Sequence, residues 1–265
     1  MRYARRITTV IITGASTGIG RALALAWADQ KATLILSARG HAALDEVAGE
    51  VAARGSKAVV VPGDVTDEAH RVQLVAQAAA HGGIDVLVNN AGRGFYSPAL
   101  QIDVAKLREL FELNVVAPLR LVQLAAPHLE RAKGTVVMMS SVAGVVAAPR
   151  YAAYAASKFA LEAIAMSLRS ELAAVGVRVV VIRPGPVDTP FRANATRAEG
   201  LTGYDAPDPK AQSAEVVAQK TVRAAMRGTP VVETSNFVRV ASATSRFAPS
   251  VLRRALRRMA QKPVP

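Results

Sequence analysis

The chain contains no cysteine. Disulfides, thiolate zinc sites and cysteine nucleophiles are therefore excluded, and the composition fits a reducing, cytoplasmic setting. The four histidines, His41, His70, His81 and His128, have no metal-ligand spacing and sit among polar or helix-end residues. They read as solvated structural side chains, and no metal is expected. Uninterrupted apolar runs are also short, and none approaches the roughly 18 residues a membrane-spanning helix needs. The expectation is a protein that is soluble or peripheral to a membrane. Acidic residues are missing from both ends: residues 1–6 carry three Arg and residues 239–265 carry seven Lys/Arg, with no Asp or Glu in either segment. The net charge of +13 is thus mostly terminal, since residues 7–238 hold 23 bases against 20 acids. A nucleic-acid groove needs a basic stripe on the domain itself, so a nucleic-acid partner is not expected. Arg2, Arg5 and Arg6 before the apolar run Ile7 to Ile12 mimic a secretion signal. That run is short, holds two threonines and flows directly into a glycine turn, so it reads as a first strand.

What is present is a regular alternation over 265 residues, a length that suits one large α/β domain. β-branched apolar runs at 7–13, 32–38, 57–62, 84–89, 134–140, 177–183 and 230–233 predict seven strands. Helical patterns separate them at 18–29, 41–54, 67–81, 103–131, 151–175 and 213–227. Strands that are apolar throughout rather than alternately imply a parallel sheet covered on both faces, a doubly wound Rossmann-type α/β fold. The domain is expected to span residues 1–235, with a long Pro/Gly-spaced loop over about 190–209 that reads as a lid, and a basic amphipathic extension over 236–265.

Two motifs carry chemistry. In Thr13-Gly14-Ala15-Ser16-Thr17-Gly18-Ile19-Gly20, a strand pattern becomes a helical one. Gly14, Gly18 and Gly20 let backbone approach a pyrophosphate at a helix N-terminus, while Ser16, Thr17 and Ile19 offer backbone or hydroxyl donors. In Tyr154-Ala155-Ala156-Ser157-Lys158, a phenol and an ammonium lie at i and i+4 on one helix face. The cation there can favour the phenolate and make a tuned acid/base.

With Asn89-Asn90-Ala91-Gly92, Ser140-Ser141 and Pro184-Gly185 in this order, the chain resembles the single-domain branch of the short-chain dehydrogenase/reductase family over roughly residues 7–235. The resemblance implies hydride transfer between a nicotinamide cofactor and a carbonyl or secondary alcohol. It implies Tyr154 as proton donor or acceptor, Lys158 as its partner, and Ser141 on the substrate oxygen. Family members often pair through the helices preceding and containing the tyrosine, so a homodimer or homotetramer is expected. The 32 residues beyond Val231-Val232-Glu233 have no counterpart in the family's commonest bacterial members and resemble its orphan members with a basic C-terminal helix.

Cofactor choice turns on Ser37-Ala38-Arg39, where an acid would hold the ribose 2′-hydroxyl of NAD and an Arg can pair with the 2′-phosphate of NADP. Arg39 points to NADP, with NAD the less favoured choice. The family's other NADP marker, a base just before the second motif glycine, is Thr17 here, for which Arg21 could partly compensate. By resemblance Asp64 and Val65 contact adenine, and Pro184, Gly185, Val187 and Thr189 form the nicotinamide-side loop. Asn90, Ala91 and Gly92 close the fourth strand where the cofactor passes. Asn114 matches the residue that orders a water leading to the catalytic lysine. Pro118, four residues later, lacks the N–H that would engage the Asn114 carbonyl, which predicts a kink and a free acceptor.

Substrate-side candidates are Arg93, Phe95 and Tyr96, Val145 to Tyr151, and the lid residues Phe191 to Tyr204. Most are apolar or aromatic, which suggests a lipophilic carbonyl compound. Ser140 and Tyr151 read as decoys, the second because no base lies four residues on. In the extension, Leu252, Ala255, Leu256 and Met259 form a stripe opposite Arg253, Arg254, Arg257 and Arg258. A helix of about ten residues is expected from Ser250 to before Pro263. It suits an anionic membrane surface through residues 250–260, an acidic partner, or a cover for its own domain. An NADP(H)-sensing interaction protein is the alternative to an enzyme, and a peripheral membrane reductase of lipid carbonyls is a third reading.

Overall fold

A computed structural model describes residues 8–201 and 211–261. The segment of residues 1–7, Tyr204 and Pro209 of the lid, and Lys262 and Pro263 lie outside the described residues. The elements run β1 Thr9–Thr13, α1 Gly18–Ala28, β2 Thr33–Ala38, α2 His41–Ala53, β3 Lys57–Pro62, α3 Glu68–Ala80, β4 Val86–Asn89 and β5 Phe95–Tyr96. They continue with α4 Val104–Phe111, a π-helical turn Glu112–Val116, α5 Ala117–Ala132, β6 Thr135–Met139, α6 Ala152–Ala173 and β7 Arg178–Arg183. β8 Thr196–Arg197, α7 Ala214–Arg227, β9 Val231–Glu233, α8 Asn236–Phe247 and α9 Pro249–Gln261 complete the described fold.

Seven strands form one parallel sheet in the order β3-β2-β1-β4-β6-β7-β9. The order reverses between β1 and β4, so the crevice at their C-terminal ends is the topological switch point of a doubly wound sheet. The strands are apolar throughout because helices cover both faces. Val10, Ile12, Leu34 and Leu36 face one layer, with α1, α2 and α7, whereas Ile11, Ile35, Leu87 and Val136 face the other. Each such fully buried side chain contributes about 1.5–3 kcal/mol of transfer free energy.

The expected single helix over 103–131 is instead two α-helices joined by a π-turn. Pro118 cannot donate to the Asn114 carbonyl, and the chain accommodates the missing bond by widening to i→i+5 pairing, with Ala117 N–H on the Glu112 carbonyl. This run from Val104 to Ala132 is long and apolar enough to cross a membrane by length and composition. Its inward residues Leu110, Leu121, Val122, Ala125 and Leu129 are buried within the fold, as a core helix requires.

Two features were not expected from the sequence. β5 pairs with β8, which ties the start of the lid to the segment after β4. The residues after β9 form two helices, not one. Ser235 caps α8 on the Val238 amide, and Val238 is fully buried.

Candidate active site

The glycine turn follows β1 because its residues leave no room for side chains. A Cβ on Gly20 would lie 1.9 Å from the Gly14 carbonyl oxygen, and one on Gly14 would lie 3.0 Å from the Ala91 Cα. Gly14 and Gly18 have φ of 65° and 52°, the left-handed region that glycine tolerates. Gly18 is backed by Thr189, whose methyl would touch an added Cβ at 3.0 Å. The turn therefore packs directly against both the β4 end and the loop after β7. Thr17 precedes α1 with extended backbone and no side-chain cap, leaving the first amides of that helix available to an anion.

Asn90 locks this arrangement. Its side-chain amide donates to the carbonyls of Thr13 at 2.9 Å and Gly14 at 3.2 Å. The Thr13 hydroxyl accepts from the amides of Asn90 and Ala91, both at 3.0 Å. Thr13 had no assigned role in the sequence reading; a hydroxyl at the end of an otherwise apolar, buried strand was the signal available.

A cleft of about 1450 Å³ runs along the C-terminal edge of the sheet. All the candidate cofactor residues border it: Gly14, Ser16 to Gly20, Arg39, Asp64, Val65, Asn90 to Gly92, Pro184, Gly185, Val187 and Thr189, with Tyr154 and Lys158 at its floor. Asp64 accepts from the Thr66 amide and hydroxyl at 2.9 and 2.8 Å. Burial raises its carboxyl, but the Thr66 bonds and nearby Arg39 outweigh it and leave the pKa lowered. Asp67, not Asp64, caps α3 by accepting from the Ala69 amide. Arg39 is exposed at the cleft edge. Arg21 is committed elsewhere: its guanidinium holds Glu50 of α2 through Nε at 3.1 Å and Nη2 at 2.6 Å, so it does not supplement Arg39.

At the other end, Ser141 follows β6 and caps the short turn Val142–Gly144, its Oγ accepting from the Ala143 amide at 3.1 Å. Ser141 also hydrogen-bonds the Tyr154 phenol. Lys158, one turn further along α6, donates to the Met139 carbonyl at 2.8 Å, with Nζ 5.8 Å from the centre of the Tyr154 ring. Burial pushes the Tyr154 phenol up to about 12 despite the Ser141 bond, and pushes Lys158 down to about 8 against the pull of Glu162. The expected depression of Tyr154 by Lys158 is thus not a property of the protein alone: in a dry site desolvation wins.

Asn114 does not border the cleft. It is buried, and its side chain accepts from the Arg93 amide and donates to the Arg93 carbonyl, both at 3.0 Å, and donates to Ser157 Oγ at 3.0 Å. It ties the π-turn to the strand-β4 loop and to α6 directly beside Lys158.

Ser140 also borders the cleft; its hydroxyl is buried and unpartnered among the described residues, and its amide donates to the Ile182 carbonyl. Tyr151 stacks at a tilt on Tyr96, centroids 4.9 Å apart, and forms wall, while Phe191 of the lid meets the Tyr154 ring at 5.7 Å. Arg93, Tyr96, Val146, Ala148 and Arg192 also border the cleft. Phe95 does not: it is buried in the core and faces a separate small cavity, because adjacent strand residues point to opposite sides. His70 is likewise not solvated. It is buried against Ser37 Oγ at 2.8 Å, and desolvation lowers its pKa.

The match to the short chain dehydrogenase family spans residues 8–200. The chain belongs to this family. It is an oxidoreductase of the NAD(P)-dependent type. Dehydrogenase/reductase SDR family member 7B of Danio rerio is 35% identical over 237 residues, covering 83% of this chain and 77% of that protein. A short-chain dehydrogenase from Streptomyces avermitilis superposes with a TM-score of 0.82 at 27% identity, covering 98% of this chain and 99% of that one. A short-chain dehydrogenase from Sphingobium yanoikuyae, solved in complex with NADPH, has a TM-score of 0.79 at 25% identity over 97% of both chains.

Proposed function

We propose that this oxidoreductase transfers hydride between NADP(H) and a lipophilic ketone or secondary alcohol, with Tyr154 as general acid/base. The observation that carries the proposal is one continuous cleft with the uncapped N-terminus of α1 and Arg39 at one end and the Ser141–Tyr154–Lys158 cluster at the other.

The residues fit a dinucleotide. Glycines 14 and 18 hold backbone where a Cβ would strain or collide, and the α1 amides face the cleft for the phosphates. Arg39 would take the 2′-phosphate, Asp64 and Val65 the adenine, and Pro184 to Thr189 the carboxamide. The bound nicotinamide supplies or accepts the hydride.

The protein's own part is proton transfer. A phenol held protonated by burial is a proton donor at neutral pH, so Tyr154 is poised to protonate the carbonyl oxygen during reduction. Ser141, already beside that phenol, donates to the same oxygen and stabilises its developing charge. Lys158 sits behind the phenol, where its ammonium favours the phenolate and lowers the Tyr154 pKa once a second positive charge is bound nearby. Asn114 acts at one remove, its side chain fixing the π-turn against Ser157 of α6, next to Lys158. An NADP(H) sensor would have no use for the Ser141–Tyr154 pair, which favours the enzyme.

Exposed Val116 of the π-turn, with Phe159 and Met166 seven residues apart on α6, leaves an apolar face on the helices through which family members pair, and supports a homodimer or homotetramer.

Cofactor titrations of the wild type and Arg39→Ala test the NADP assignment. NADPH is expected to bind at least tenfold more tightly than NADH to the wild type, with most of the difference lost in the variant. Equal affinities in the wild type would overturn it.

A further inference from the structure

α8 is anchored beside the catalytic segment: the Ser245 hydroxyl donates to the Val145 carbonyl at 2.8 Å. Val238 packs on Gly185, where an added Cβ would lie 3.1 Å from it. Phe237, Val240, Ala241 and Thr244 of α8 border the cleft, as do Leu252, Ala255, Leu256 and Met259 of α9. Each set has the i, i+3, i+4, i+7 spacing of a helix face meant for apolar contact.

α9 nevertheless has no buried residue. Its stripe faces the cleft instead of packed protein, while Arg253, Arg254, Arg257 and Arg258 are exposed. The cleft also exceeds the roughly 300–1,000 Å³ usual for a single ligand, which leaves room beyond a dinucleotide. An apolar stripe lining the same cavity as Tyr154, on a helix pair pinned next to Ser141, requires an apolar occupant that reaches from the reacting carbon.

Resting on the oxidoreductase reading above, we propose that α8 and α9 form the alkyl-chain wall of the substrate site, and that the substrate carries an extended hydrocarbon chain from its carbonyl or carbinol carbon along Leu252, Leu256 and Met259. The hydrophobic gain per methylene laid on this wall corresponds to about fourfold in affinity, so chain length rather than polar contacts sets selectivity here.

The test uses the full chain. Turnover with NADPH is compared for butanone and 2-dodecanone, and equilibrium binding is measured for a dansyl probe carrying an undecanoyl chain, which needs no turnover. The wild type is expected to favour dodecanone, and the double variant Leu252→Asn/Leu256→Asn to lower the dodecanone-to-butanone ratio of kcat/KM and the probe affinity at least tenfold. Leu256→Trp, which fills the cleft without adding polarity, is expected to do the same, and guards against a folding defect in the first variant. Arg254→Gln/Arg257→Gln should leave both unchanged. A ratio independent of chain length, or probe binding indifferent to both leucine variants, overturns the wall. If neither ketone is reduced but probe binding still collapses in both leucine variants, the wall stands and the carbonyl-reductase reading falls. Loss of binding to anionic vesicles in the asparagine variant, with probe binding unmoved, would assign the stripe to a membrane and overturn the proposal.

Discussion

At the residue scale the site is governed by burial. Tyr154 and Lys158 are both nearly inaccessible, and each shifts toward its neutral form: the phenol up to about 12 from 10.0, the amine down to about 8 from 10.5. For Lys158 the unfolded chain binds more protons than the folded one between about 8 and 10.5, so stability should rise with pH across that window. For Tyr154 the folded state keeps its proton above pH 10.0, up to about 12, so stability should fall there. Thermal melts of the cofactor-free protein across this range should show the first trend, and Lys158→Met should abolish it while raising the melting temperature at neutral pH. A flat profile in the wild type would contradict the burial argument. Steric residues matter as much. Gly20→Ala places a methyl 1.9 Å from the Gly14 carbonyl, and overpacking of this kind costs about 1–3 kcal/mol or more. The variant should melt several degrees lower and bind cofactor poorly, a pair of losses that a melt and a titration can check. The sequence was most readable at this scale where chemistry is local: the glycines, Tyr154 and Lys158 are defined by spacing alone. Roles set by three-dimensional neighbours were not readable, as with Arg21 drawn away by Glu50 and His70 enclosed by Ser37 and Gly63.

At the element scale the π-turn shows how one proline shapes the helix that carries Asn114. Pro118 removes an i→i+4 donor, and the resulting turn presents Asn114 to Arg93 and Ser157. Pro118→Ala should let this stretch relax toward α-helix, rotate Asn114 off these partners and lower kcat by about tenfold or more, with a melting temperature within a few degrees of wild type. Hydrogen exchange would show a newly protected amide at position 118; a normal kcat alongside that protection would separate the turn from function. The seven strands of the main sheet and the helical patterns between them, apart from the π-turn that divides residues 103–131, were legible because continuous apolar runs and 3.6-residue periodicity are local signals. α8 was passed over because its sequence from Asn236 to Phe247 lies past the last strand and mixes polar and apolar residues evenly, while its start is fixed by the Ser235 cap and the burial of Val238. The β5–β8 pair is two residues on each side, too short for any periodicity to register.

At the scale of the whole molecule, one exposed surface is apolar and another is basic. Val116 of the π-turn and Phe159 and Met166 of α6 are large apolar side chains left exposed. If this face joins subunits, Met166→Glu should shift the protein to a smaller species in light scattering without lowering activity more than a few-fold; an unchanged mass would place the interface elsewhere. The four exposed arginines of α9 form the outer surface of the cleft wall. Because the apolar stripe faces inward, attraction to an anionic membrane would rest on charge alone, at about 1 kcal/mol per base close to the surface. Vesicle co-sedimentation should therefore be weak at low salt and vanish at physiological salt. The basic tail was evident in the sequence, but its direction was not, since an amphipathic pattern specifies a face without specifying what that face meets.

Tyr154 is proposed as the proton donor of a hydride transfer from NADPH. The most direct measurement follows the fate of deuterium from the C4 position of labelled NADPH during reduction of long-chain ketones, with wild type and Tyr154→Phe compared by mass spectrometry at saturating cofactor. The wild type should deliver the label to the carbinol carbon. The phenylalanine variant should bind NADPH with near-normal affinity and deliver label about a thousandfold more slowly, within the range of about 10²–10⁴ assigned to acid–base catalysis. Label transfer by Tyr154→Phe within a few-fold of the wild-type rate would contradict the central claim.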